Sequence, residues 1–453
     1  MRTAYISLAL MLVVLSAMLP TMPGLTKDAQ IMLGILAMAV ILWITEAIPA
    51  AATGLLIMTL QPLLKVVDAK EVFSSFGNKA VFFILASFML AAAIEKHGLH
   101  KRLAVKLLKI FGNSPKMFIF GIMLTGAFLS FIMQEHAVAA LLLPILIHIL
   151  ISNKIVPKES NFGIVTMLSL TYGVSIGSWG TLLGGARNPL TIAFLEEIGY
   201  SISFLEWMKL CMPIVFISLP LATYILLKVF PPEGGDIKKA VRHIEEEVYE
   251  MGKIGKNEKI LIGLVATTIF LWIFFSDYLG IAVIALASSS SLFILRLVDW
   301  EDIEKRVQWG IILLYGGAIT LGKGLEKTQA VYWLSSKIAF FRNEYIILIF
   351  IILLTFLLTN LMSNTAAVAT MLPISVGIAS QIGISKIIAC MSVAIAGGGA
   401  FLFVVGTPSM AIAYSSGYVS LKHMLKAGII VGIVCMLIIF TIAIFYWQYL
   451  LGL

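Results

Sequence analysis

Long apolar runs separated by short polar segments recur along all 453 residues of the chain. A helix that crosses a membrane needs roughly 20 apolar residues, and the length accommodates about eleven such spans. The first run, Ala4–Leu19, follows the lone charge Arg2 and ends in Pro20, Thr21, Met22 and Pro23. It lacks the small-residue cleavage site of a signal peptide, so it reads as a first membrane helix. Two later runs, Met117–Leu150 and Tyr345–Ile374, are too long for one span, and each carries a polar triplet near its middle. A re-entrant hairpin places such a triplet at its tip, where non-helical backbone is tolerated only if it lines a cavity within the protein. A glycine-rich break follows each hairpin, Gly177–Pro189 and Gly397–Pro408.

Composition changes the picture only by exclusion. The chain is 60% hydrophobic and 12% charged, with a mean hydropathy of +1.02. Soluble domains carry about 25% charged residues, so an ordinary soluble enzyme is ruled out. The net charge of +8 does not point to nucleic acid, because the basic residues sit in short loops and form no stripe with interleaved aromatics. Their distribution speaks to orientation instead. Lys96, Lys101, Arg102, Lys106, Lys109 and Lys116 lie in a stretch, 96–116, without an acid, which the positive-inside rule assigns to the cytoplasm. Extended along the chain, the bias is about two to one for a cytoplasmic N-terminus and an external C-terminus. The loop Pro231–Lys259 reads as a short cytoplasmic helix and linker between two halves. Trp43, Trp207, Trp272, Trp300, Trp309 and Trp447 fall at predicted helix ends, as interface belts do. Cys211, Cys390 and Cys435 are widely spaced inside apolar runs and read as buried structural residues. One basic residue, Arg187, belongs to neither face.

The two halves repeat. Ile94-Glu95-Lys96 returns as Leu325-Glu326-Lys327, and Gln134-Glu135-His136-Ala137-Val138-Ala139-Ala140 with Pro144 returns as Ser363-Asn364-Thr365-Ala366-Ala367-Val368-Ala369 with Pro373. Both pairs are offset by about 230 residues. An odd number of spans per unit inserts the second copy upside down, the plan of many secondary transporters; duplication in a channel or a membrane enzyme is the competing explanation. Broken helices in mid-membrane expose aligned N–H groups that favour an anion and free carbonyls that favour a cation. The pattern predicts a central anionic substrate flanked by two cation sites. Gly316-Gly317, by contrast, reads as close helix packing.

Five segments resemble the divalent anion/sodium symporter family of the solute carrier 13 type: Trp43–Pro49, Phe88–Arg102, Trp309–Gly317, Ser363-Asn364-Thr365 with Pro373, and Gly406-Thr407-Pro408. The resemblance covers nearly the whole chain. It implies an all-α polytopic membrane protein of about eleven transmembrane helices in two inverted repeats, each with a hairpin and a broken helix. It further implies a homodimer that moves a di- or tricarboxylate or sulfate by an elevator movement. The expected parts are scaffold at 1–112 and 259–343, transport at 113–230 and 344–453, and a cytoplasmic linker at 231–258. Carried over, Ser363, Asn364, Thr365, Thr407 and Pro408 would contact substrate. Thr359, Asn364 and backbone at Val405 and Gly406 would hold a sodium ion, a coupling ion and not a cofactor.

The first half departs from that pattern. Gln134-Glu135-His136 stands where the family has Ser-Asn-Thr, and Gly185-Ala186-Arg187-Asn188 where it has Thr-Pro-Pro-Asn. Glu135, His136, Arg187 and Asn188 are the expected substrate contacts of this half, and Ser130, Glu135 and Gly184 would line its sodium site. A buried charge in the membrane needs a partner, so Glu135 and Arg187 are expected to face one another or the substrate. Three readings stay open: Arg187 stands in for the first sodium ion; Glu135 and His136 couple anion uptake to protons; or an inert pair locks the hairpin. All three weaken sodium dependence. A cation/proton antiporter or arsenite-efflux-type permease of the same superfamily is the alternative, and an intramembrane hydrolase a remote one. The expected surroundings are a small anionic substrate and the lipid bilayer.

Overall fold

Polar residues placed just ahead of apolar runs start most of the helices. In the computed structural model, which describes residues 1–112, 114–233, 249, 251–338 and 343–453, the Thr26 hydroxyl accepts the Ala29 N–H at the start of α2 (Lys27–Thr45), after α1 (Arg2–Met18). Next come α3 (Ala50–Leu63), α4 (Ala69–Ser74), α5 (Lys79–Lys96) and α6 (Leu99–Ile110). Ser114 caps α7 (Pro115–Ser130), and Pro115 supplies the fixed φ that suits a first helical position. The chain continues through α8 (Glu135–Ser152), α9 (Asn161–Gly177), α10 (Arg187–Glu197) and α11 (Phe204–Val229). The second half holds α12 (Lys256–Leu279), α13 (Ile281–Ile294), α14 (Trp300–Arg306), α15 (Trp309–Lys327) and α16 (Ala330–Ile338). It ends with α17 (Glu344–Leu361), α18 (Asn364–Ile382), α19 (Lys386–Ala396), α20 (Pro408–Ser415) and α21 (Leu421–Thr441), which runs on into π-helical turns at Ile442–Leu450.

Among the described residues, eight helical segments are long and apolar enough to cross a membrane, and six shorter apolar helices of 10–17 residues accompany them. The shorter ones include α7, α9 and α19, the arms of the hairpins and broken helices. The predicted linker helix, with Lys238, Lys239, Arg242, Glu245, Glu246, Glu247 and Glu250, lies outside the described residues, as does Arg342. Glu233, just before it, accepts the N–H groups of Asn161 and Phe162 at 2.7 and 2.9 Å and so finishes the start of α9.

The repeats are interlocked. Hairpin α7–α8 packs on α9, and hairpin α17–α18 packs on α19. Beyond its break, each chain crosses over: α10 packs on α18 and α19, while α20 packs on α8 and α9. Neither half completes its own site. Glycines set the closest approaches. A Cβ at Gly317 would lie 2.3 Å from the Gly54 Cα, so α3 and α15 touch backbone to backbone. The reading of Gly316-Gly317 as a packing device holds for that reason.

Ion pairs tie the two ends of the helices. At one end Lys96 meets Asp302 at 2.6 Å, and Arg306 meets Asp302 at 2.9 Å and Glu95 at 3.7 Å. The Asp302 carboxyl is pulled down to about 2, chiefly because the Asp299 N–H donates to it and next because of Lys96. At the other end Lys327 meets Glu71 at 2.5 Å, and Lys323 meets Glu197 at 3.0 Å. The tryptophans correct the sequence reading. Trp300 and Trp309 are exposed, but Trp43, Trp207, Trp272 and Trp447 are buried. Each of these four indole N–H groups finds a carbonyl, as with Trp207 on Trp179 O at 3.0 Å and Trp272 on Ile281 O at 3.0 Å, as buried indoles usually do, whereas the buried Trp179 Nε1 has no partner.

Candidate functional site

Four helices begin at one place. Glu135 opens α8, Arg187 opens α10, Asn364 opens α18 and Pro408 opens α20. Both hairpin tips and both breaks deliver their polar residues there, to a cavity of about 380 Å³. Gln134, Glu135, His136, Arg187, Ser363, Asn364, Thr365, Thr407 and Pro408 line it, with Pro49–Ala51 from the start of α3 and Gln308 and Gly310 from the start of α15. Those two starts mark the end of the molecule that carries Lys96 and Arg306. A second cavity, about 420 Å³, shares Pro49, Ala50 and Ser363 and continues past Glu46 to Arg2. The site therefore opens toward that end.

A break frees carbonyls, and every freed carbonyl needs a donor. In the first break, Asn188 Nδ2 donates to Ser178 O and Thr181 O, both at 2.7 Å, and Gln134 Nε2 donates to Leu183 O at 3.0 Å. The Glu135 N–H donates to Gly184 O at 3.0 Å, and the Tyr315 hydroxyl donates to Ala186 O. Ahead of the second break, Arg187 Nε donates to Ala394 O in the last turn of α19 at 3.2 Å, and within the break the Tyr172 hydroxyl donates to Phe401 O at 3.2 Å. Asn360 donates to Gly399 O at 3.3 Å and accepts the Leu402 N–H at 2.8 Å.

At the centre, Glu135 Oε1 accepts from Asn364 Nδ2 at 2.9 Å and from the Thr407 hydroxyl at 3.1 Å. Its Oε2 lies 3.5 Å from Arg187 Nη1. Arg187 is 1% exposed, and its Nη2 donates to Ser178 Oγ at 2.5 Å. Glycine makes room for the guanidinium, since a Cβ at Gly185 would sit 2.4 Å from Nη1 and one at Gly398 would sit 2.3 Å from Nη2. Arg187 thus bridges both breaks. Behind the cavity, the Thr359 hydroxyl lies 2.8 Å from Asn364 Oδ1 and 2.6 Å from Gly397 O. A Cβ at Gly406 would come within 2.8 Å of Thr359 O. The atoms gathered there are oxygens, the donor set that hard cations take.

The remaining expected residues divide. Ser130 is fully buried with an unpartnered hydroxyl, and its carbonyl presses on Gly184. Val405 turns its side chain outward and is 58% exposed. Asn188, expected to touch substrate, is not among the lining residues, because its amide is committed to the two carbonyls of its own break. His136 faces Gln308, the residue just ahead of α15, which pairs with its Nε2. Sequence reading missed Asn360, Tyr172, Tyr315, Ser178 and Gln308. Asn360 was within reach, as an amide inside an apolar run is seldom idle; Gln308 carried no comparable signal.

Two hairpins meeting beside two broken helices, around a cavity that holds Arg187 and Glu135 side by side, form the architecture of a membrane transporter. The family model of the sodium:sulfate symporter transmembrane region matches residues 1–453, and the chain belongs to that family. It is a transporter family, so the hydrolase reading falls. Sodium-dependent dicarboxylate transporters SdcS of Staphylococcus saprophyticus and Staphylococcus aureus are 29% identical to it over 441 residues, 90% of this chain and 84% of theirs. Solved structures share the fold. MtrF of Neisseria gonorrhoeae, described as illuminating a class of antimetabolite efflux pumps, superposes with a TM-score of 0.59 at 14% identity, covering 97% of each chain. The YdaH transporter of Alcanivorax borkumensis gives 0.57 at 12% identity, covering 83% of this chain and 87% of its own.

Proposed function

We propose that this chain carries a small dicarboxylate across the membrane as a secondary transporter, binding it in the central cavity between the two hairpin tips. One observation carries the reading: the starts of α8, α10, α18 and α20 converge with Arg187 on a single cavity. Aligned N–H groups at helix starts favour an anion, and a planar guanidinium suits a carboxylate. The similarity to sodium-dependent dicarboxylate transporters narrows the anion.

In this reading Ser363, Asn364, Thr365 and Thr407 receive one end of the substrate, and His136 and Gln308 border the other. Sodium is held by Thr359, Asn364 and backbone at Gly397 and Gly406, where it offsets the substrate's charge. Arg187 takes the part of a second cation: fixed between Ser178 and Ala394, it supplies permanently the positive charge that a bound ion would bring to the first break. Uptake then depends on sodium with a Hill coefficient near one. The segments 113–230 and 344–453 move as a transport body against a scaffold of 1–112 and 259–343 in an elevator movement, within a homodimer whose N-terminus is cytoplasmic and C-terminus external. The interlocking of α10 and α20 across the repeats supports the first assignment.

Counterflow uptake in proteoliposomes, with labelled succinate, citrate and sulfate and with sodium and pH varied independently, tests the reading. Succinate exchange that rises hyperbolically with sodium is the expected result. Melting shifts with sodium or pH alone, and with no anion, would put cation/proton antiport in its place.

A further inference from the structure

The strongest donors facing the cavity are taken up by a group of the protein itself. Glu135 is 5% exposed, and Asn364 and Thr407 both donate to one of its oxygens, at 2.9 and 3.1 Å. The other oxygen faces Arg187 at 3.5 Å and has no hydrogen-bond partner. An amide, a hydroxyl and a guanidinium, delivered by three helix starts, thus close on one carboxylate. That is the donor set an anionic ligand would seek. Arg187 is the one Lys or Arg among the residues lining the cavity, and with Glu135 beside it the lining has no net fixed charge.

Resting on the dicarboxylate reading above, we infer that Glu135 is a tethered competitor: its carboxylate holds the substrate's carboxylate position in the empty carrier, and an incoming dicarboxylate must displace it from Asn364 and Thr407. The single hydroxyl proton of Thr407 cannot serve two carboxylates at once, and two anions a hydrogen bond apart repel. Displacement is feasible because Glu135 uses only part of its acceptor capacity, and because the start of α8 still favours a carboxylate that swings aside.

Specificity follows from the tether. A monocarboxylate replaces one carboxylate by another and has nothing left to offset the high effective concentration of a group built into the site. A dicarboxylate gains a second set of contacts and wins. The competitor also lowers apparent affinity by the fraction of time it occupies the position.

Binding of succinate and acetate to purified protein in lipid nanodiscs, read by thermal melting and titration, tests this for wild type, Glu135→Gln and Glu135→Asp. The aspartate keeps the negative charge beside Arg187, and with it the fold, but is one methylene too short to hold Asn364 and Thr407. Both variants are expected to bind succinate about tenfold more tightly than wild type, and acetate, without effect on wild type, is expected to stabilise Glu135→Gln. Unchanged or weaker succinate binding in both variants, with wild type binding it, overturns the inference alone. Absence of succinate binding in all three overturns the dicarboxylate reading and the inference with it.

Discussion

Asn364 and Glu135, 229 residues apart in the chain, share a hydrogen bond of 2.9 Å at the point where the two hairpin tips meet. They are the equivalent residues of the two repeats. An amide in one copy and a carboxylate in the other let the tips bind each other directly, where two ionised carboxylates would have no donor to share. The same Asn364 side chain accepts from Thr359 through its oxygen, so one residue joins the cavity to the cluster of oxygens behind it.

Asn364→Ala removes both links. It leaves Thr359 and Glu135 with buried polar atoms and fewer partners, which should cost about 1–3 kcal/mol of stability. Sodium-dependent uptake should fall at least tenfold, and sodium should no longer raise the melting temperature. A variant that kept its sodium-induced shift would remove Asn364 from the cation cluster.

Arg187 and Glu135 should behave as a unit. Arg187→Gln strands a carboxylate in a buried site and is expected to destabilise by about 3–5 kcal/mol. Adding Glu135→Gln should recover most of that stability without recovering transport, because the anion site has lost its cation. A double-mutant cycle measured by chemical denaturation in micelles gives the coupling; additive effects would mean that the 3.5 Å approach carries no energy.

Gly398→Ala should abolish transport. Its Cβ would press within 2.3 Å of both Arg187 Nη2 and Trp179 Nε1, so the buried guanidinium and indole would both have to leave their present positions. Gly263→Ala, in the open interior of α12 with no neighbour in reach, is the matched control; it should stabilise slightly, by about 0.5–1 kcal/mol, through better helix propensity. Parallel uptake and melting measurements on the two variants separate the effects.

Acid should loosen the end that holds Lys96 and Arg306. The Asp302 carboxyl titrates at about 2 when folded, below the ordinary carboxylate value near 3.9 of an unfolded chain. Because the folded value is the lower one, its contribution is complete above about pH 4 and fades as pH falls toward 2. Asp302→Asn should therefore lower the melting temperature at pH 7 and make little difference at pH 2.

Movement of the transport body would separate Glu197 from Lys323, 3.0 Å apart, and from Asn78, also at 3.0 Å. A cysteine pair replacing Glu197 and Lys323 should cross-link on oxidation and stop uptake, with recovery on reduction. Full activity of the cross-linked protein would refute relative motion of α10 and α15.

Much of this protein is decided locally. Apolar runs of membrane length, a repeated polar triplet with its proline, and glycine-rich interruptions determine spans, hairpins and breaks, because each depends only on the hydropathy or flexibility of neighbouring residues. The same local chemistry singled out Glu135, Arg187 and Asn364 as polar groups in apolar surroundings, and the family resemblance added Thr407. It could not assign their partners. That α10 and α20 exchange places between the repeats, and that Arg187 reaches a carbonyl of α19, are outcomes of packing between residues some 200 positions apart. Buried carbonyls freed by unwinding must find donors wherever the assembled helices bring them, and only the tertiary structure decides which donors arrive.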